Sequence, residues 1–144
     1  MKDKFNSRSD KFCIVLNDSG ADVFKSSTNI KTKIMCCDFL SVIYVAVIRH
    51  DKDFDEETNH TKTTHYHVVI QLDRIYRVGS MIKLIVEIFK CNENQITIDK
   101  CSSIVMQSRY LIHLDDFDKY QYDLFDVENY RNRLNESDNE IALR

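Results

Sequence analysis

The segment over residues 65–72 alternates in a pattern that constrains its backbone strongly. Tyr66, Val68, Ile70 and Leu72 are apolar, and alternate side chains of an extended strand point to the same side. One face of the segment is therefore predicted to lie against a hydrophobic core. The intervening positions are mostly polar. This period of two predicts a strand in a sheet that is packed on that core face.

The rest of the chain reads as short strands, amphipathic helices and polar loops. Further strands are predicted over residues 12–16, 43–49 and 95–98. Helices are predicted over residues 30–39, 80–90 with Ser80 as N-cap, 102–114 and 127–134. Loops are predicted over residues 17–29, 51–64 and 115–123. This order of elements predicts an α+β fold in which helices pack on a central antiparallel β-sheet.

The length of 144 residues suits one domain with a real core, so residues 1–144 are assigned to a single domain. Residues 1–11 are polar and are predicted to be flexible. Residues 124–144 are predicted to form an acidic C-terminal helix or tail. Residues 1–114 contain 16 Lys/Arg against 14 Asp/Glu, whereas residues 115–144 contain 4 against 9. The net charge of −3 therefore neither supports nor excludes a nucleic-acid partner.

Membrane insertion and secretion are not indicated by the sequence. The longest apolar run, residues 42–48, is too short to cross a bilayer, and no signal peptide is evident at the start. The five cysteines include no C-x-x-C pair, which argues against a disulfide framework and against a cysteine-built zinc site. We expect a cytoplasmic protein with reduced thiols and no membrane partner.

Four residues around a predicted hairpin have the side chains of a divalent-metal site. His65 and His67 are two apart on a strand and therefore share a face. Antiparallel pairing of the strand over 43–49 with this one brings the end of the first beside the start of the second. His50 and Asp53 are thereby predicted to approach the two histidines. Three imidazoles and a carboxylate would meet at one sheet edge.

Other residues in the same loop compete for a place in this site. His60 is a further histidine, and Asp55, Glu56 and Glu57 are acids that also suit solvated loop positions. An imidazole-rich site favours zinc, cobalt or nickel by affinity, whereas a carboxylate also allows manganese or magnesium. The residues alone leave the metal open.

Tyr110 is the candidate reactive side chain outside the metal site. On a helix over residues 102–114, it lies off the apolar stripe that would face the core. A tyrosine in that position is available to a partner. Spacing alone does not rank it above Tyr120, Tyr122 or Tyr130.

Three blocks of sequence resemble the Rep initiators of small Gram-positive rolling-circle plasmids. They are H-D-K-D from His50, T-H-Y-H-V-V-I from Thr64, and R-Y-L-I-H-L-D-D-F-D-K-Y-Q-Y-D from Arg109. Those initiators belong to the HUH endonucleases, named for two histidines that flank a hydrophobic residue, and Tyr66 fills the middle position here. The resemblance covers most of the chain. It departs from the family where Phe117 stands in place of a common proline.

The resemblance implies a fold, a site and an activity. The fold is the ferredoxin-like or RRM-like fold of HUH endonucleases. The metal ligands are His50, Asp53, His65 and His67, the metal is Mn²⁺ or Mg²⁺, and the nucleophile is Tyr110. The activity is site-specific nicking and closing of single-stranded or hairpin origin DNA, a topoisomerase-like strand transfer through a covalent 5′-phosphotyrosine. This reaction starts rolling-circle replication of a plasmid.

The resemblance also implies partners and leaves rival functions open. Relatives often continue into a part that oligomerises or recruits a helicase, so a host helicase or polymerase is an expected partner and an oligomer is compatible with the family. One rival is a single-strand transposase or relaxase of the same superfamily. Another is a DNA-binding relative that has lost cleavage, and the least favoured is a structural zinc domain.

Overall fold

The computed structural model describes residues 4–18, 22–51, 54–55, 60–61, 64–101 and 127–131. The strands in these ranges are β1 (Arg8–Asn17), β2 (Val42–His50), β3 (Phe54–Asp55), β4 (His60–Thr61), β5 (His65–Arg77), β6 (Ile96–Lys100) and β7 (Val127–Arg131). The helices are α1 (Ser27–Met35) and α2 (Val78–Phe89). Short 3₁₀ turns are formed by Lys4–Asn6 and Glu93–Gln95.

Five of the strands form one antiparallel sheet in the order β6-β1-β5-β2-β7. Strand β5 lies at its centre, between β1 and β2. The short strands β3 and β4 pair with each other inside the predicted loop over residues 51–64. An antiparallel sheet with helices packed on it is therefore present, and the predicted α+β class is confirmed.

The main hydrophobic cluster lies on the face of the sheet that the two helices cover. Tyr66, Val68 and Ile70 of β5 are buried there, as the alternation of the sequence predicted. The rest of this core comes mainly from β1, β2, α1 and α2: Phe12, Ile14, Leu16, Val45, Val47, Ile30, Ile34, Met81, Ile85 and Phe89. Because isolated helices this short are marginal in water, packing on the sheet rather than intrinsic propensity stabilises α1 and α2.

Helix α2 follows β5 with no loop between them. The predicted N-cap at Ser80 is wrong, because the helix already begins at Val78, whose N–H donates to the carbonyl oxygen of Ser7 at 2.8 Å. Lys90 ends the helix in the left-handed conformation, with φ of 56°, as is common just past a helix C-terminus.

Part of the N-terminal segment that was predicted to be flexible has regular structure: Lys4–Asn6 form a 3₁₀ turn and β1 begins at Arg8. Strand β5 continues beyond the predicted end at residue 72 and supplies partners for the start of β1. The turn also packs closely on α2. A Cβ at Gly79 would lie 3.2 Å from the carbonyl oxygen of Phe5. The absence of a side chain at residue 79 therefore lets the turn pack closely on α2.

The predicted C-terminal helix over residues 127–134 is wrong for Val127–Arg131, which form β7 beside β2. Five residues are too few for periodicity to separate a strand from a helix. Here the backbone groups of β2 decide the outcome by pairing with the segment.

Some predicted elements lie outside the described residues. They are the helix over residues 102–114, the loop over 115–123 and the tail beyond residue 131. Neither of the two helices in the described ranges is long and apolar enough to span a membrane.

Candidate metal centre

The site is built by the backbone register of two neighbouring strands. Strands β2 and β5 pair antiparallel, with His50 opposite His65 and Ile48 opposite His67. Residues directly opposite each other in such a ladder share a face. His65 and His67 share that face as well, because they are two apart on β5. The predicted juxtaposition of the three histidines is therefore present.

The three imidazoles are close enough to bind one ion. Ring centroids are 4.3 Å apart for His50 and His67, 5.1 Å for His65 and His67, and 5.4 Å for His50 and His65. One nitrogen from each ring lies within 4.8 Å of the others. Metal–nitrogen bonds of about 2.1 Å would draw these nitrogens slightly closer. Small side-chain rotations would be enough, and the all-nitrogen donor set suits a divalent transition metal.

The site combines a buried base with a more open side. His50 is fully buried, whereas His65 and His67 are half-buried. An ion held here would have protein on the His50 side and a route to solvent past the other two rings. Catalytic metal sites need such an open position for substrate or water.

The opposite face of the same strand is rigid and apolar. Tyr66 lies between the two β5 histidines in sequence, but its ring is buried in the core and meets Phe24 edge-on at 6.3 Å between centroids. Its hydroxyl is buried and has no hydrogen-bond partner among the described residues. Burial, and next the charge of Asp18, raise the pKa of Tyr66 above its ordinary value. Tyr66 therefore supports the strand and is not exposed to a substrate.

The burial of Asp18 was not predicted, since this residue was assigned to the loop over residues 17–29. It is only 4% exposed, and its carboxylate accepts the N–H of Phe24 at 3.0 Å. Its own N–H donates to the carbonyl oxygen of Thr64 at 3.3 Å. These bonds tie the end of β1 to the residue before His65. An acid placed directly after an apolar strand was the available signal.

The remaining predicted site residues are not tested by the structure. Asp53 and Tyr110 lie outside the described residues. His60 lies in β4, with its backbone paired to Asp55, and the position of its side chain is not described. The structure therefore brings together His50, His65 and His67 and leaves the other two assignments as predictions.

Comparison with known proteins places these features in a family. A family model described as "Plasmid replication protein, origin binding domain" matches residues 4–134. The chain is also 33% identical over 81 residues to Replication protein RepB of Lactiplantibacillus plantarum. That alignment covers 56% of this chain but 34% of the relative, so the chain spans about a third of the RepB protein. Because the family match covers nearly the whole chain, the protein belongs to the plasmid replication proteins, as an origin-binding domain.

Proposed function

We propose that this domain cleaves and rejoins one DNA strand at a plasmid origin, using a divalent metal and a tyrosine nucleophile. The observation that carries the proposal is the convergence of His50, His65 and His67, three nitrogen donors within 4.8 Å of one another. Family membership makes DNA the expected substrate, since an origin-binding domain binds DNA. Binding alone does not require a cluster of imidazoles.

His50, His65 and His67 would hold the metal, with Asp53 as the fourth protein ligand. Asp53 comes three residues after His50, so the chain itself keeps it near the cluster. We favour Mn²⁺ or Mg²⁺, as the resemblance to rolling-circle initiators implies. When bound, such an ion withdraws charge from a phosphate oxygen and makes the phosphorus more open to attack.

Tyr110 would be the nucleophile. Its hydroxyl gives up its proton as the phenolic oxygen attacks the phosphorus, the bond from phosphorus to the 3′ oxygen breaks, and the departing oxygen takes up a proton as a 3′-hydroxyl. The 5′ phosphate stays on the tyrosine. The reverse attack by a 3′-hydroxyl reseals the strand without ATP. Tyr66 is unsuited to this role, because its hydroxyl is buried on the other face of β5.

The substrate would be single-stranded DNA or the loop of a hairpin, since a phosphate inside a duplex is not free to adopt the geometry of in-line attack. The exposed 3′-hydroxyl would prime a host polymerase in the cytoplasm, with a host helicase opening the duplex. Self-association of the initiator is compatible with this scheme.

A second candidate is origin binding without cleavage. The description of the matched family names binding alone, and that wording favours this candidate. A third, a transposase or relaxase of the same superfamily, would act on transposon ends or a transfer origin instead.

A nicking assay separates these candidates. A pool of end-labelled single-stranded oligonucleotides is incubated with the protein and Mn²⁺, and products are resolved on a denaturing gel. Cleavage with a covalent protein–DNA adduct supports the proposal. Retained DNA binding with no product, at any metal tested, would favour the non-catalytic candidate. The sequences that are cut would separate a replication origin from transposon ends.

A further inference from the structure

A pair of arginines lies at the end of β5 that is far from the histidines. Arg77 ends β5 and stands directly opposite Arg8 of β1. Like charges directly opposite each other in an antiparallel ladder destabilise it. Among the described residues, neither guanidinium is in an ion pair that would offset the repulsion. An anion between them would remove this cost.

The two arginines border open space large enough for such an anion. They line a cavity of about 510 Å³ together with Ile75, Tyr76 and Ser80. An adjoining cavity of about 310 Å³ shares Arg77 and Ser80 with the first. The two cavities therefore meet at Arg77 and Ser80 and together form a depression beside the arginine pair.

Positive charge prevails around this depression. Lys83 of α2 lines the adjoining cavity, where the acidic lining residue is Glu93. Arg74 lies nearby, over the ring of Tyr76 at 5.9 Å, and approaches Asp73 only to 4.0 Å in a largely exposed pair. Exposed pairs of that kind are weak. Among the lining residues, Arg8, Arg77 and Lys83 bring three positive charges against the one negative charge of Glu93.

We propose that Arg8, Arg77 and Lys83 bind the phosphate backbone of duplex DNA. Every nucleotide of a duplex carries a phosphate anion, so a duplex can supply the negative charge that this cluster of cations lacks. The proposal deepens the proposed function but needs only DNA binding, not cleavage.

The surroundings favour duplex over single-stranded DNA. Single-strand sites combine cations with aromatic rings on which bases stack. Here the ring of Tyr76 is covered by Arg74, and its hydroxyl donates to the carbonyl oxygen of Phe39 at 2.7 Å. Phe5 also lines the adjoining cavity, so binding of a single strand is measured separately.

The test compares two variants of equal charge change. Arg8→Gln with Arg77→Gln removes two cations from the cluster, and Lys31→Gln with Lys33→Gln removes two from α1, away from both cavities. Fluorescence anisotropy measures the binding of a mixed-sequence duplex about two helical turns long, and of a single strand of equal length. The salt concentration is varied from about 50 to 200 mM. Divalent metal is absent, so cleavage plays no part.

We expect the cluster variant to bind the duplex about 10-fold more weakly than the α1 variant at low salt. Its plot of log K against log salt should be shallower by about 1.8, because each phosphate contact contributes about 0.9 to the slope. Equal behaviour of the two variants would overturn the proposal, and so would an equal loss of single-strand binding. If circular dichroism shows the double variant unfolded, Lys83→Gln replaces it, with a slope change of about 0.9. Failure of the wild type to nick DNA would overturn the proposed function and leave this result standing.

Discussion

His50 of β2 and His67 of β5 lie with their ring centroids 4.3 Å apart, although 16 residues separate them in sequence. The antiparallel register of the two strands brings them together, and His65 completes the group. The contact is therefore a property of the folded sheet and not of a local motif. Its function can be tested one ligand at a time.

Replacing either histidine of β5 should remove most metal binding. We expect His65→Ala and His67→Ala each to weaken the binding of Mn²⁺ by at least about 100-fold. Even the loss of a group that only hydrogen-bonds to a metal ligand lowers the metal affinity about 10- to 100-fold. Both residues are half-buried, so the fold should survive. Calorimetric titration measures the affinity, and circular dichroism checks that each variant is folded. Unchanged binding in both variants would remove the three-histidine site from consideration.

The carboxylate ligand is tested by comparing two acids of one loop. If Asp53 binds the metal, Asp53→Ala should weaken Mn²⁺ binding by at least about 10-fold, as expected when a coordinating group is lost. Asp55→Ala removes the same charge two residues away and should change the affinity little. Similar small effects of the two substitutions would mean that both acids are solvated, and His60 would become the next ligand to examine.

The proposed role of Tyr110 as nucleophile is tested by removing its hydroxyl oxygen. Tyr110→Phe should abolish both cleavage and the covalent adduct while leaving DNA binding intact, because only the hydroxyl is lost. Tyr120→Phe and Tyr122→Phe are the matched controls and should still cleave. Oligonucleotides labelled at either end give the polarity of the product, and peptide mass spectrometry locates the modified residue. An adduct on Tyr120 or Tyr122 would move the assignment, and cleavage without an adduct would identify water as the nucleophile.

The hydroxyl of Tyr66 should destabilise the fold. It is buried with no hydrogen-bond partner in the part of the chain that the structure describes, and an unsatisfied buried polar group costs about 1–3 kcal/mol. We expect Tyr66→Phe to raise the free energy of unfolding by about 1 kcal/mol. Tyr76→Phe is the matched control: it loses the bond to the carbonyl oxygen of Phe39 and should lower that free energy by about 1 kcal/mol. Denaturant titration measures both, and destabilisation by Tyr66→Phe would show that its hydroxyl has a partner.

The same residue should affect stability at high pH. Burial raises the pKa of Tyr66 above its ordinary value of about 10, so the unfolded chain releases this proton at a lower pH than the folded one. The wild type should therefore lose stability as the pH rises above about 10. Tyr66→Phe should lose less over the same range, in thermal unfolding curves recorded at several pH values. Parallel curves for the two proteins would contradict the raised pKa.

The parts of the fold that could be predicted are those with a local pattern. The alternation of apolar residues predicted the strand that begins at His65. Antiparallel pairing of this strand with the preceding one predicted that His50 lies close to His65 and His67. The end of that strand at Arg77 was missed, because residues 73–77 are mostly polar and are held by pairing with β1. Strand β7 was misread as a helix, since its conformation depends on pairing with β2.

Within the site, the features that sequence could not supply depend on distant contacts. Asp18 was assigned to a loop because its hydrogen-bond partners, Phe24 and Thr64, lie outside β1, and Thr64 is far from it in sequence. The pairing of Arg8 with Arg77 could not be predicted for the same reason, because the two arginines are far apart in sequence and meet only through the register of β1 and β5. Such pairs become apparent only when the register is known.

The pairing of β7 with β2 has a consequence for work with shortened versions of this protein. Strand β2 carries His50 and is hydrogen-bonded on one side to β5 and on the other to Val127–Arg131. Removing the chain beyond residue 126 would leave one row of its backbone N–H and C=O groups without strand partners, along a segment rich in valine and isoleucine. Unpaired rows of this kind recruit strands from other molecules and lead to aggregation. A fragment that stops before Val127 would therefore be prone to self-association, so its poor behaviour would say nothing about the residues proposed to cleave DNA.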